Sequence, residues 1–430
     1  MSERMLIKNA NVVNPAGKSG VMDIFIKDGL IEKMGPAEEI VTAEEGIRVI
    51  DATGLIVAPG LIDVHVHFRD PGQTHKEDIF TGAKAAAHGG FTSVVMMANT
   101  VPTIDSVETL EYVKDRAEKT DIHVYSTANV TYGMMGEKMT DMQSLYDAGA
   151  IGFTDDGKPI MDEELVREAM KEVKRLGVPI SFHEEDPAYV KNPGYNHGKA
   201  SEHYGIYGAD RQAEIVMIER DIELALETGA DIDIQHISTA EGVELVRQGR
   251  TKAGNIHAEA TPHHFTLTEE AAIRYGTNAK MNPPIRTKED RMAIIRGLQD
   301  GTIEMIATDH APHHANEKKV GDPENLTKAP SGITGLETSL ALGITELVKK
   351  GYLTMEQLID RMSTGPARIY HLNGGVLAEG KPADIVIFDD NADYVPGEYF
   401  SKADNTPFTG WKLKGLVRYT ISDGQVVYRL

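Results

Sequence analysis

The sequence predicts an α/β protein: a distorted (β/α)8 TIM barrel with a small β-sandwich formed from both chain ends. Two observations carry this expectation. From about residue 54 to 350, short apolar runs alternate with longer helical patterns, the signature of repeated βα units around a parallel sheet. The flanks read instead as alternating apolar strands joined by Asp-Gly turns, which favour two-residue hairpins. The expected division is residues 1–53 and 371–430 for the two parts of the sandwich and 54–370 for the barrel.

Taken in order, the first element is the hairpin "DIFIKDGLIEKMG", turning at Asp28-Gly29. Eight apolar runs follow: "GLIDVHVHF", "FTSVVMMAN", "DIHVYSTAN", "GAIGFTDD", "VPISFHEE", "DIDIQHIS", "NIHAEATPHH" and "IEMIATDH". Between them lie helix patterns such as "DEELVREAMKEVKRLG", acidic in its first turn, basic in its last and closed by glycine, as the helix dipole and C-cap favour. The tail contributes "KPADIVIFD" and a second hairpin, "LVRYTISDGQVVYRL", turning at Asp423-Gly424. Both ends are expected to meet in one sandwich.

Composition narrows the function. Acidic residues outnumber basic ones 66 to 44 in 430 residues, a formal charge of -22 with no basic stripe, which argues against nucleic acid or an anionic membrane as partner. There is no cysteine, so a transition-metal site must be built from histidines and carboxylates. No phosphate-binding glycine motif or apolar run of about 18 residues occurs, "MSERMLIKNANVV" has no long apolar core of the kind a signal peptide carries, and the expected location is the cytoplasm.

"GLIDVHVHFRDPG" is unusual for a buried strand. Alternation puts Asp63, His65 and His67 on one face and Val64 and Val66 on the other, with Pro71-Gly72 ending the run in a turn. Parallel barrels carry their sites where the strands end. His65, His67 and Arg69 fall at the end of the first run, Asn99 at the second, Asp155-Asp156 at the fourth, His183 at the fifth, His236 at the sixth and Asp309 at the eighth. Singly, each has an ordinary reading: His183 as a loop residue beside Glu184-Glu185, His236 as a core histidine, Arg69 as the partner of Asp70. Converging on one mouth, they predict a metal site, with zinc favoured by nitrogen and oxygen ligands and manganese or cobalt as substitutes. His263, His264 and His313 are expected to line the mouth.

Together, "DVHVHFRDPG", "KEDIFTGAKAAAHGGFTSVVMMANTVP", "GFTDDG", "MNPPIR", "ATDHAPHH" and "APSGITGLE" resemble the class I dihydroorotases of the amidohydrolase superfamily over nearly the whole chain. The resemblance implies reversible cyclisation of N-carbamoyl-L-aspartate to L-dihydroorotate in pyrimidine synthesis. It implies one or two Zn2+ per subunit, with His65, His67 and Asp309 around one position and His183 and His236 around the other. Asp156 would bridge them, with Asp155 as its alternative and Lys158, past the turn, a weaker one. It maps substrate contacts onto Arg69, Asn99, Asn282, His313, Ser331 and Gly332. The chain departs from the family pattern in having Ser331 where an aromatic residue is common, and in a longer loop from His313 to Pro330.

The chemistry suits these residues. Opening a cyclic amide near neutral pH needs a nucleophile stronger than water, and a metal can lower the pKa of bound water from about 15.7 to around 7. Asp309 is placed to take the nucleophile's proton and pass it to the departing ring nitrogen. Alternative readings are a hydantoinase or allantoinase, against which stand Arg69 and the missing strand-four lysine, and a non-catalytic scaffold for aspartate transcarbamoylase. The expected partners are the small-molecule substrate, a second copy in a homodimer, and aspartate transcarbamoylase as a candidate.

Overall fold

The computed structural model describes residues 4–40, 46–319 and 325–430. Part of the loop from His313 to Pro330, expected to be longer than in relatives, therefore lies outside the described residues.

Strands β1 (Arg4–Val12), β2 (Gly20–Lys27) and β3 (Leu30–Gly35) form an antiparallel meander. Its second turn is the predicted one: Asp28 and Gly29 both have positive φ, 52° and 81°, as a two-residue turn matched to strand twist requires. Strands β4 (Arg48–Asp51) and β5 (Ile56–Pro59) pair parallel to successive parts of β1. The change of partner follows a register shift between Ile7 and Ala10, where Asn9 adopts φ 56° and its backbone N–H donates to Asp23. Such an irregularity bends a strand and lets one sheet fold over its own core.

The barrel follows. Strands β6 (Leu61–Val66), β7 (Phe91–Met96) and β8 (His123–Ser126) form one parallel sheet. Strands β9 (Ile180–Phe182), β10 (Ile232–Ile234), β11 (Ile256–Ala260) and β12 (Met305–Ile306) form a second. The expected fourth strand, "GAIGFTDD", is reduced to Phe153, which alone bridges Ala128 on one side and Ile180 on the other. Gly149 and Gly152 weaken this run as a strand, since glycine adds backbone entropy and no side chain to pack. A bridge from His310 to Val66 closes the ring. Eight positions are therefore present in a distorted barrel.

The helices lie where the patterns place them. Glu163–Leu176 starts from Asp162, whose carboxylate accepts from the backbone N–H groups of Glu164 and Leu165, and ends at Gly177 in the left-handed region, φ 73°. It buries Val166, Ala169, Met170 and Val173 on its inner face, with each of the larger side chains contributing about 1.5–3 kcal/mol.

The chain then returns to the first sheet. Strand β13 (Ile385–Tyr394) pairs with β5, β14 (Leu413–Ser422) with β13, and β15 (Gln425–Arg429) with β14. Both ends thus share one sheet, packed around Ile7, Ile24, Ile50, Ile385, Ile387 and Ile421. The turn at Asp423-Gly424 repeats the first hairpin's geometry, with φ 46° and 74°. Among the described residues no helix is long and apolar enough to cross a membrane.

One turn permits a direct test. Gly72 has φ +92°, and a Cβ there would lie 1.9 Å from the Val101 carbonyl oxygen. Gly72→Ala is expected to destabilise the protein by more than about 1 kcal/mol, seen as a lower urea midpoint. An unchanged midpoint would show that the turn has room the geometry denies it.

Candidate active site

His65 lies in β6 and His67 just beyond it, both buried and on the inner face that alternation assigns. Asp63, on the same face, accepts from the backbone N–H groups of Thr308 and His65, tying the first barrel position to the eighth. Three residues at the mouth hold left-handed backbone conformations that non-glycine residues seldom adopt: Arg69 (φ 58°), His236 (φ 36°) and Asp309 (φ 46°). Such conformations persist where surrounding structure over-determines them, often at functional sites.

The histidines share a pattern. His65 Nδ1–H donates to Glu259 at 2.5 Å, leaving Nε2 3.6 Å from an oxygen of Asp156 and 3.6 Å from one of Asp309. That Nε2 is buried and has no hydrogen-bond partner. His67 Nδ1–H donates to Asn99 at 3.0 Å, so Nε2 turns its lone pair to Asp309 Oδ1, 2.8 Å away. His183 Nε2–H donates to Glu185 at 3.1 Å, while Nδ1 sits 3.0 Å from His236 Nε2 and 3.7 Å from Asp156. The outer nitrogens of His65, His67 and His183 are thus tied down, that of His236 (Nδ1) has no hydrogen-bond partner, and the inner nitrogens converge on two carboxylates. Acceptors facing acceptors call for a cation, and outer partners that fix the tautomer are characteristic of metal-binding imidazoles. The donor atoms of His65, Asp156 and His236, and those of His65, His67 and Asp309, each lie within 4.8 Å of one another. The residues present fit a divalent metal.

Electrostatics agree. Burial alone would lower the pKa of His183, but Asp156 and Glu185 raise it to about 10. For Asp309, burial raises and the neighbouring His65 and His67 lower, with a net fall to about 2. Asp156 is likewise held well below the usual carboxylate range, against its burial, by His65, His183 and His236. The carboxylates thus favour a positive charge at this point, which either a proton on His183 or a bound cation would supply.

A cavity of about 190 Å³ opens onto this cluster. Arg69, Asn99, Asn282, His313, Ser331 and Gly332 all line it, together with His67, Asp156, His183, His236 and Asp309. Asn282 Oδ1 is buried with no hydrogen-bond partner, an acceptor available to a ligand N–H. His313 Nε2–H donates to the Ser331 carbonyl at 2.9 Å, and burial together with the nearby Arg69 keeps its imidazole neutral by lowering its pKa strongly. Arg69 does not pair with Asp70. That carboxylate is buried and taken by Arg116 at 2.8 Å and the Tyr112 hydroxyl at 3.0 Å.

Other candidates separate cleanly. Asp155 accepts from the backbone of Val130 and Thr131, the Thr131 hydroxyl and the Asn129 amide, which occupies it in holding a loop. Lys158 does not line the cavity. Nor do His263 and His264, contrary to expectation. Both are buried in the short helix Pro262–Thr266, where His264 links Thr261 to the Pro283 carbonyl. Sequence reasoning missed Glu259, which holds His65 and also accepts from the His236 backbone N–H, and Glu185. The signals were present in "HAEATPHH" and "HEE", but a strand pattern cannot say which acid meets which imidazole.

Comparison with known proteins gives the class. Residues 56–427 match the amidohydrolase family. The chain is 53% identical over 425 residues to the dihydroorotase of Clostridioides difficile strain 630, covering 99% of each chain. It is 51% identical over 427 residues to that of Streptococcus pneumoniae serotype 4, covering 99% of this chain and 100% of the other. Among solved structures, an L-hydantoinase from Arthrobacter aurescens superposes with a TM-score of 0.88 at 26% identity, covering 100% of this chain and 96% of that one. A dihydropyrimidinase from Brevibacillus agri shares the fold, with a TM-score of 0.85 at 24% identity over 99% of this chain and 95% of the other. The chain therefore belongs to the amidohydrolase family, enzymes whose barrels imply a divalent metal. Within that family it groups with the dihydroorotases, metal-dependent cyclic amidohydrolases.

Proposed function

We propose that this site interconverts N-carbamoyl-L-aspartate and L-dihydroorotate, with zinc held by His65, His67, His183, His236, Asp156 and Asp309. The observation that carries the reading is one cavity in which a guanidinium, Arg69, stands beside a cluster of histidines and carboxylates. When bound, the metal supplies Lewis acidity to a carbonyl and acidity to water. Arg69 grips the carboxylate that does not react, since its planar fork matches that group with paired hydrogen bonds. Asn99 shares this load, while Asn282, His313 and the backbone at Ser331 and Gly332 seat the ring. In hydrolysis Asp309 takes the proton of the attacking water and returns it to the ring nitrogen as the C–N bond breaks. In cyclisation the same carboxylate moves the proton in reverse as water leaves.

Arg69 and the carboxylate of Asp156 in the strand-four position also favour a dihydroorotase over a hydantoinase. We further propose a cytoplasmic homodimer. Sedimentation of the purified protein, alone and with an aspartate transcarbamoylase, tests the dimer and that second association.

Arg69→Lys keeps the charge but loses the fork, and is expected to weaken substrate binding by about 1.5–3 kcal/mol while metal content is unchanged. Arg69→Met should be worse for dihydroorotate than for an uncharged cyclic imide. The measurement is kcat/KM on both substrates. An equal fractional loss on the two would show that Arg69 supports the site in general and does not read the carboxylate.

A further inference from the structure

Two lysines near the cavity are buried as few lysines are: Lys280 and Lys318 are each 1% exposed, and neither forms a salt bridge among the described residues. Their ammonium groups are satisfied by one short strip of backbone. Lys280 Nζ donates to the carbonyls of Leu326, Thr327 and Ala329 at 3.2, 2.9 and 2.7 Å. Lys318 Nζ donates to those of Pro330 and Gly332, both at 3.0 Å. Five carbonyls within seven residues thus turn inward onto two amino groups. Burying an unpaired charge costs several kcal/mol unless fixed dipoles replace its water, so the strip and the lysines hold one another in shape. Burial accordingly lowers Lys318 to about 7 and Lys280 to about 8, with Lys280 adding to the fall at Lys318.

The strip ends in the cavity wall. Ser331 and Gly332 line the cavity, the Gly332 N–H donates to the Lys280 carbonyl at 2.9 Å, and the Ser331 carbonyl receives His313. The two lysines come from separate segments, Lys280 next to the cavity-lining Met281 and Lys318 five residues after the cavity-lining His313. We propose that Lys280 and Lys318 are positioning residues that set the Leu326–Gly332 strip against the substrate by gripping its carbonyl oxygens. The inference rests on the dihydroorotase reading for its kinetic consequence, but not for its structural one.

The strip carries its own reporter. Lys328 is exposed between carbonyls held by Lys280, so trypsin cleavage after it reads how firmly the strip is held. Lys318→Met is expected to speed that cleavage at least ~10-fold, raise KM for dihydroorotate by ~10-fold and change kcat less than ~3-fold, with metal content unchanged; such a split is what lost ground-state and transition-state binding produces. Lys280→Met should repeat the signature from the other end. If Lys318→Met does not accumulate as folded protein, Lys318→Gln, which keeps a donor without the charge, is measured in its place. Unchanged cleavage and KM in a folded, metal-loaded variant overturn the proposal. Faster cleavage with KM unchanged reduces the lysines to a structural role and overturns it as well. Wild-type protein that does not turn over dihydroorotate overturns the functional reading and the substrate part of this inference together, leaving cleavage to judge the grip alone.

Discussion

Replacing Asp309 by Asn should lower kcat by at least about 10²-fold in both directions, the lower end for loss of a general acid-base group. The prediction rests on position and charge. The carboxylate is buried at the cavity, 2.8 Å from His67 and 3.6 Å from His65, and its left-handed backbone aims it from the end of the eighth barrel position. Its neighbouring imidazoles hold it ionised against its burial, so at neutral pH it can accept a proton. Asn has nearly the same shape and still offers one oxygen, but it has neither the negative charge nor the basicity. The fall should appear in kcat more than in KM, because the proton moves only as bonds change. Metal analysis of the same preparation separates the two duties assigned to this residue. Full metal content with lost turnover isolates the proton transfer, and near-normal turnover in both directions would rule the shuttle out.

The second large effect is on the metal itself. His65→Ala with His67→Ala removes two converging imidazoles and leaves Asp309 and Asp156 facing each other with less positive charge between them. Groups that merely support a ligand already cost about 10–100-fold in metal affinity when removed, so loss of two ligands should exceed about 100-fold, and turnover should fall with it. Competition with a chelator, followed by elemental analysis, measures the change. Metal content equal to wild type would sink the ligand assignment. The same titration on Glu259→Gln gives a graded comparison: that variant keeps every ligand but replaces the carboxylate that orients His65 and His236, so its affinity should fall within the 10–100-fold range.

Much of this architecture follows from local rules written in the chain. Alternation puts His65 and His67 on one face because a strand turns each successive side chain over, whatever lies around it. Asp28-Gly29 and Asp423-Gly424 both turn with positive φ because Gly, and to a lesser extent Asp, accept that region, and hairpins need it. The helix Glu163–Leu176 begins and ends where its Asp162 and Gly177 say it should. With eight strands inferred in order, their polar ends named half of the residues that line the cavity, and the family resemblance added Asn282, His313, Ser331 and Gly332.

Choices between equivalent neighbours belonged to the tertiary structure. "FTDDG" offers two adjacent carboxylates, and strand periodicity cannot prefer one when the strand itself dissolves into a single bridge at Phe153. Packing decides: the 129–131 loop consumes Asp155, which leaves Asp156 for the histidines. Arg69 and Asp70 are neighbours that could have paired, but Arg116, arriving on a helix 46 residues later, takes the acid and frees the guanidinium for the cavity. Glu259 meets His65 across 194 residues, and Lys318 finds its acceptors in backbone carbonyls that no side-chain pattern encodes. Periodicity, capping and turn chemistry act over a few residues and can be read directly. Which buried charge meets which partner depends on segments that become neighbours only when the barrel closes.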